Sequence, residues 1–175
     1  MRNVFVVVMV CLLLVSVAPA QDQNQKMAML KEFTRSVQLD GITLSFVLLN
    51  DRTVDALFEA PGKYSMRARA RMATTFYVQG TPDKDIKIDT KFTVEQDGET
   101  VAGTASNIKN FTDGGAVAKG ARIDGILELG KKIDVSHAFK IKNGHSSVDF
   151  KLSSDALKLM QPIPNPAAAP AAPPN

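Results

Sequence analysis

Three arginines at alternate positions, Arg67, Arg69 and Arg71, are the side chains whose type and spacing most directly point to chemistry. They are separated by Ala68 and Ala70 and bracketed by Met66 and Met72. Read with a period of two, the guanidinium groups line one face of a strand, roughly 7 Å apart, with the apolar residues on the other. A planar guanidinium holds phosphate, sulfate or carboxylate oxygens in pairs. Such a row therefore suits a repeating anionic glycan or a layer of lipid headgroups. The same row also serves as a solvated sheet face, or as charges that keep an edge strand from pairing with another molecule.

Other constellations are weaker. Asp83, Asp85 and Asp89 offer oxygen ligands of the kind calcium takes, without the spacing or central glycine of an EF-hand loop, and Lys84 and Lys87 interleave them. They read as hairpin-loop charge. His137 and His145 are the only histidines. With no cysteine outside position 11, they lack the companions of a zinc site, and no metal is expected. Ser136 beside His137 is not a catalytic triad, and no nucleophile elbow occurs. Aspartates and glutamates are scattered, so a carboxylate pair for a small hydrolase stays open. The absence of Trp and the presence of two Tyr leave little for stacking sugars. Asn110-Phe111-Thr112 matches a glycosylation sequon, but Phe111 also falls at a core position. No nucleotide-binding motif is present, so no cofactor is expected, and nucleic acid is not an expected partner.

Periodicity indicates the elements that must carry these residues. Lys26 to Val37 has apolar residues near helical spacing and is read as a short helix. Ile42 to Leu49 alternates as a strand, and Thr53 is placed to cap a helical turn. Pro61-Gly62 marks a turn, and Tyr64 to Val78 is read as the strand that bears the arginines. Ile86 to Glu95 alternates, Asp97-Gly98 forms a hairpin tip, and Glu99 to Ala105 returns. A second tip, Asn143-Gly144, joins Phe139–Ile141 to Val148–Leu152. Ser153 or Ser154 caps a last helical turn to Met160. Eight or nine short strands with no long helices between them predict an all-β chain: a single-domain antiparallel β-sandwich over 26–160, or alternatively a partly open barrel.

The ends differ in composition. Arg2, then about 14 uncharged residues from Val4 to Val17, then Ala18-Pro19-Ala20, have the form of a signal peptide cleaved after Ala20. Residues 21–25 read as a flexible start, and 161–175 as a disordered Pro/Ala tail. Loss of the leader would remove Cys11 and leave a chain that forms no disulfide, as well as no membrane-spanning segment. Many small secreted animal domains are rich in disulfides, so a cysteine-free one fits a bacterial envelope better. With 21 Lys and Arg against 18 Asp and Glu, net charge alone selects no partner.

The sequence thus leads to an exported, periplasmic or extracellular, non-enzymatic binding or structural module whose partner is an unidentified protein or envelope component. A lipid- or anionic-glycan-binding role through Arg67, Arg69 and Arg71 is the alternative.

Overall fold

The computed structural model describes residues 22–160. The signal-peptide reading, Cys11 and the tail lie outside the described residues. The elements run α1 (22–32), β1 (Thr34–Leu39), β2 (Ile42–Leu48), α2 (Asp51–Leu57), α3 (Gly62–Met72) and β3 (Thr75–Pro82). There follow β4 (Ile86–Lys87), β5 (Thr93–Gln96), β6 (Glu99–Lys109), β7 (Ala116–Val117) and β8 (Ile123–Leu129). The described chain closes with β9 (Phe139–Asn143), β10 (Ser146–Phe150) and α4 (Ser154–Leu159).

Eight strands form one antiparallel sheet in the order β1-β2-β3-β8-β6-β5-β9-β10, and β4 pairs with β7 separately. This is an all-β fold of barrel and sandwich character. The long strand β6 makes it both. Its first residues, Glu99 to Ala102, pair with β5, while Gly103 to Lys109 pair with β8 across a bulge between Asn107 and Lys109. One bent strand thereby joins two sheet halves. At the far edges β1 and β10 lie against each other without a hydrogen-bonded ladder. Arg35 closes that seam: its guanidinium donates to the Lys151 carbonyl at 2.5 Å and stands 5.3 Å from the centre of the Phe150 ring.

Alternation along the strands sends one set of side chains inward. Leu44, Phe46 and Leu48 of β2, Phe76 and Val78 of β3, and Ile123, Leu127 and Leu129 of β8 are all essentially fully buried. Two aromatic clusters complete the filling. Phe92 meets Phe46 edge-on at 5.3 Å and stacks on Phe111 at 6.3 Å. Phe139 stacks on Phe150 at 4.9 Å, and both touch Phe76. Each such ring contributes about 2–3 kcal/mol by burial alone. Side chains occupy the interior.

The local rules behind the elements are visible. Asp97 and Gly98 both have positive φ (51° and 85°), as the tight turn between β5 and β6 demands. The side-chain oxygen of Asn50 accepts from the backbone N–H groups of Arg52 (2.9 Å) and Thr53 (3.0 Å), while Thr53 Oγ1 accepts from the Asn50 N–H. That reciprocal pair starts α2. Ser153 caps α4 through the Ala156 N–H at 3.1 Å.

Three expectations are corrected here. Residues 22–25 are helical rather than a flexible start, and α1 ends at 32, where Thr34–Leu39 becomes β1 and pairs with β2. The alternating stretch from Ile86 is not one strand. Ile88, Phe92 and Val94 are buried as expected, but the ladder breaks where Asp89 turns the chain by accepting from the Lys91 N–H at 2.8 Å. Most consequential for function, the first part of 64–78 is not a strand: α3 runs to Met72, and only from Thr75 does β3 begin.

Candidate functional site

The arginines therefore sit on a helix. At about 100° per residue Arg67 and Arg71 fall about 40° apart on one face of α3, and Arg69 lies about 160° from both, so the three form no row. Met66 and Ala70 face inward and pack on the core. With α2, α3 forms a helical hairpin laid on the outer face of the sheet, where the edge of Tyr77 meets Phe58 at 5.5 Å between ring centres. Val47, Tyr77 and Ile126 are register partners across β2, β3 and β8 and make up the outward row beneath the hairpin.

The three arginines have three different surroundings. Arg67 turns toward α2 and donates to both carboxylate oxygens of Asp55, with Lys63 also 3.4 Å from that carboxylate. Burial pushes the Asp55 carboxyl up, but the hydrogen bonds and charges of Arg67 and Lys63 together hold it below its ordinary value. Arg67 is thus a clamp between two helices. Arg71 reaches Asp51 at 2.8 Å but keeps 67% of its side chain exposed. Its hydrogen bond to Asp51 raises its pKa, so it remains a cation. Arg69 leans the other way, with its nearest carboxylate, Glu128 on β8, at 3.9 Å. Exposed pairs of this kind hold their charges loosely.

Between them lies an apolar stripe. Tyr64, Ala68 and Met72 fall within about 80° of one another on the helical wheel and are exposed, Tyr64 to 63% and Met72 to 82%. α3 as a whole carries Lys63, Arg67, Arg69 and Arg71 and no acidic residue. The outer face is a short apolar ridge bordered by guanidinium groups on both sides.

A groove opens at the C-terminal end of α3. One depression of about 450 Å³ is lined by Leu49, Asn50, Asp51, Ala70, Arg71, Lys132 and Met160. A second, of about 190 Å³, shares Leu49, Ala70, Lys132 and Met160 and continues along Ile133, Asp134 and Val135. Its walls are tied down. Thr74 Oγ1 accepts from the Ile133 N–H at 3.0 Å, and Arg52 Nε donates to the Leu159 carbonyl at 3.0 Å beside Met160. Asn50 is buried, and its Nδ2 has no hydrogen-bond acceptor among the described residues.

The remaining expected sites are dispersed. Asp85 accepts from the distant Lys119 N–H at 2.8 Å, and Asp89 from the Lys91 N–H in a local turn. Among the described residues no group of three metal-ligating side chains comes together. His137 lies before β9, 3.5 Å from Asp97, and His145 lies in the turn after β9, so they flank opposite ends of that strand. Asn110 donates to the Arg122 carbonyl at 2.9 Å, and Phe111 is buried, as its core reading anticipates. Of the acidic residues around the depression near β5 and β10, Glu95 pairs with Lys142 at 2.7 Å and Asp149 with Lys140 at 3.5 Å, while Asp97 lies beside His137.

One network was not foreseen. Asp124, nearly buried on the outer row of β8, accepts from the Tyr77 hydroxyl and takes two hydrogen bonds from Arg122, at 2.6 and 2.9 Å. Burial, then the bond to Asp124, raises the Tyr77 pKa, and Asp124 raises that of Arg122. The spacing of Arg122 and Asp124 on one face of a strand was the available signal; the contact with Tyr77 depends on pairing of β3 with β8.

No protein-family model, curated protein or solved structure matches this chain. Among the described residues no helix is long and apolar enough to cross a membrane.

Proposed function

We propose that this protein is an exported, non-enzymatic binding module that recognises an anionic envelope component with the outer face of α3. The observation that carries this reading is the placement of a helix with four cations and no acid on the outside of a side-chain-filled barrel. The barrel supplies rigidity, α2 anchors α3 through Asp55–Arg67, and Arg69 and Arg71 provide the contacts. The leader-like residues 1–20 support export, and the absence of cysteine from the rest of the chain agrees with an envelope setting.

Binding of the purified protein to a sulfated polysaccharide and to vesicles containing anionic phosphatidylglycerol tests this at low and moderate salt. Binding to either that weakens as salt rises is the expected result. Binding to neither, or binding indifferent to salt, overturns it.

A further inference from the structure

We propose that the ridge on α3 seats this protein on the surface of an anionic lipid bilayer, with Tyr64 and Met72 entering the headgroup layer; this rests on the reading of α3 as an anion-recognising face and names its partner. Tyr64, Ala68 and Met72 follow one another at intervals of four residues, so their stripe runs about 12 Å along the helix. Tyr64 is 63% and Met72 82% exposed, and among the described residues they are the two most exposed large apolar side chains. Both lie on one stripe of one helix. The opposite side of α3 is already covered, because Met66 and Ala70 pack on the core.

The ridge chooses a bilayer over a dissolved anion. A sulfated or phosphorylated glycan answers guanidinium groups but leaves Met72 in water. A bilayer surface offers acyl chain to Met72, an interfacial layer to the phenol of Tyr64, and phosphates at the level of the flanking cations. The charges are placed to meet those phosphates. Arg67 and Arg71 border the stripe on one side and Arg69 on the other, while their carboxylate partners belong to α2 and β8. Asp51 is recessed, 19% exposed against 67% for the Arg71 it pairs with. Glu128 comes no closer to Arg69 than 3.9 Å, beyond hydrogen-bond range. Residues 51–72 carry five cations and three acids, so the hairpin is net positive even with its internal pairs counted. Long arginine side chains also let the guanidinium groups stay at phosphate level while the stripe between them goes deeper.

The apolar residues can be changed without touching a charge. The purified protein is titrated with vesicles of phosphatidylglycerol in phosphatidylcholine, with vesicles of phosphatidylcholine alone, and with dextran sulfate. Binding is expected to be at least tenfold tighter to the vesicles that contain phosphatidylglycerol than to those that lack it. A Tyr64→Gln, Met72→Gln double variant keeps every cation of α3, and both positions are exposed, so its melting temperature stays that of the parent. It is expected to lose at least fivefold in affinity for the anionic vesicles while its binding to dextran sulfate is unchanged. The chain has no Trp, so Tyr64→Trp places a single reporter on the ridge. Its emission is expected to shift to the blue on anionic vesicles, to be quenched by bromine-labelled acyl chains, and to stay unshifted with dextran sulfate. A double variant that binds the vesicles as the parent does, a tryptophan neither shifted nor quenched, or equal binding to phosphatidylcholine alone overturns the proposal. Binding of dextran sulfate without vesicles overturns the bilayer alone, and binding of neither overturns the α3 reading as well.

Discussion

Arg67 donates to both carboxylate oxygens of Asp55, and this pair ties α3 to α2. Arg71, one turn further on, faces α2 as well and reaches Asp51, whereas Arg69 points to the other side, toward Glu128 of β8. A run of three arginines thus divides into one structural clamp and two surface cations.

Arg67→Ala is expected to lower stability by about 0.5–1 kcal/mol, the range of a partly exposed ion pair, and Asp55→Ala by a similar amount. The double variant should cost less than the two single losses added together. Denaturant unfolding of the four proteins measures the coupling; strict additivity would show that the two side chains do not interact.

The acid limb of stability follows from the same pair. The Asp55 carboxyl is held below its ordinary 3.8 in the folded state, so the unfolded chain takes up protons first as pH falls. The contribution is complete above that value and is lost as pH drops through the lower folded one. Glu99, hydrogen-bonded and paired with Lys131, and Asp134, hydrogen-bonded by Ser136, act with the same sign. Asp55→Asn should therefore be less stable than the parent near neutrality and converge with it below about pH 4. Thermal melts across that range check the convergence.

At alkaline pH the sign reverses. Tyr77 has a folded pKa above its ordinary 10.0, so its contribution is complete below that value and is lost as pH rises through the folded one. Tyr77→Phe should lower stability by about 1 kcal/mol at neutral pH, the worth of one hydrogen bond, and flatten the alkaline limb. Phenolate absorbance followed alongside unfolding would show whether the parent loses structure as Tyr77 ionises.

Gly125 makes room for Phe111. A Cβ at position 125 would fall 1.9 Å from the Phe111 ring, inside a core with no slack. Gly125→Ala is expected to destabilise by about 1–3 kcal/mol, the cost of overpacking. Phe111→Leu in the same chain should recover part of that loss. If Gly125→Ala alone melts like the parent, the packing of Phe111 over β8 is wrong.

Much of the fold was legible in the chain. Strict alternation in Ile42–Leu48 marked β2, and Asp97-Gly98 and Asn143-Gly144 marked two hairpins, because these turns need residues tolerant of positive φ. The Asp40-Gly41 turn between β1 and β2 carried the same cue, but helical spacing over 26–37 obscured it. The arginine segment misled because alternating Met, Ala and Arg satisfies a period of two in sequence while every one of these residues favours a helix. No β-branched residue occurs between Lys63 and Ala73; Thr74 follows and Thr75 begins the strand. A helix lying on a barrel needs only Met66 and Ala70 facing inward, too narrow a stripe to dominate the periodicity. The groove was beyond reach in principle, since it joins residues 49, 70, 132 and 160 that only the fold brings together.

The most direct test of the account compares the parent protein with an Arg69→Gln, Arg71→Gln double variant in binding phosphatidylglycerol vesicles and a sulfated polysaccharide over a salt series. Both substitutions lie on the exposed side of α3 and spare the Arg67 clamp. The account predicts folding like the parent, at least a tenfold loss of binding at low salt, and a shallower salt dependence. A variant that binds as the parent does, with the same salt slope, would contradict the central claim that the outer face of α3 recognises the ligand.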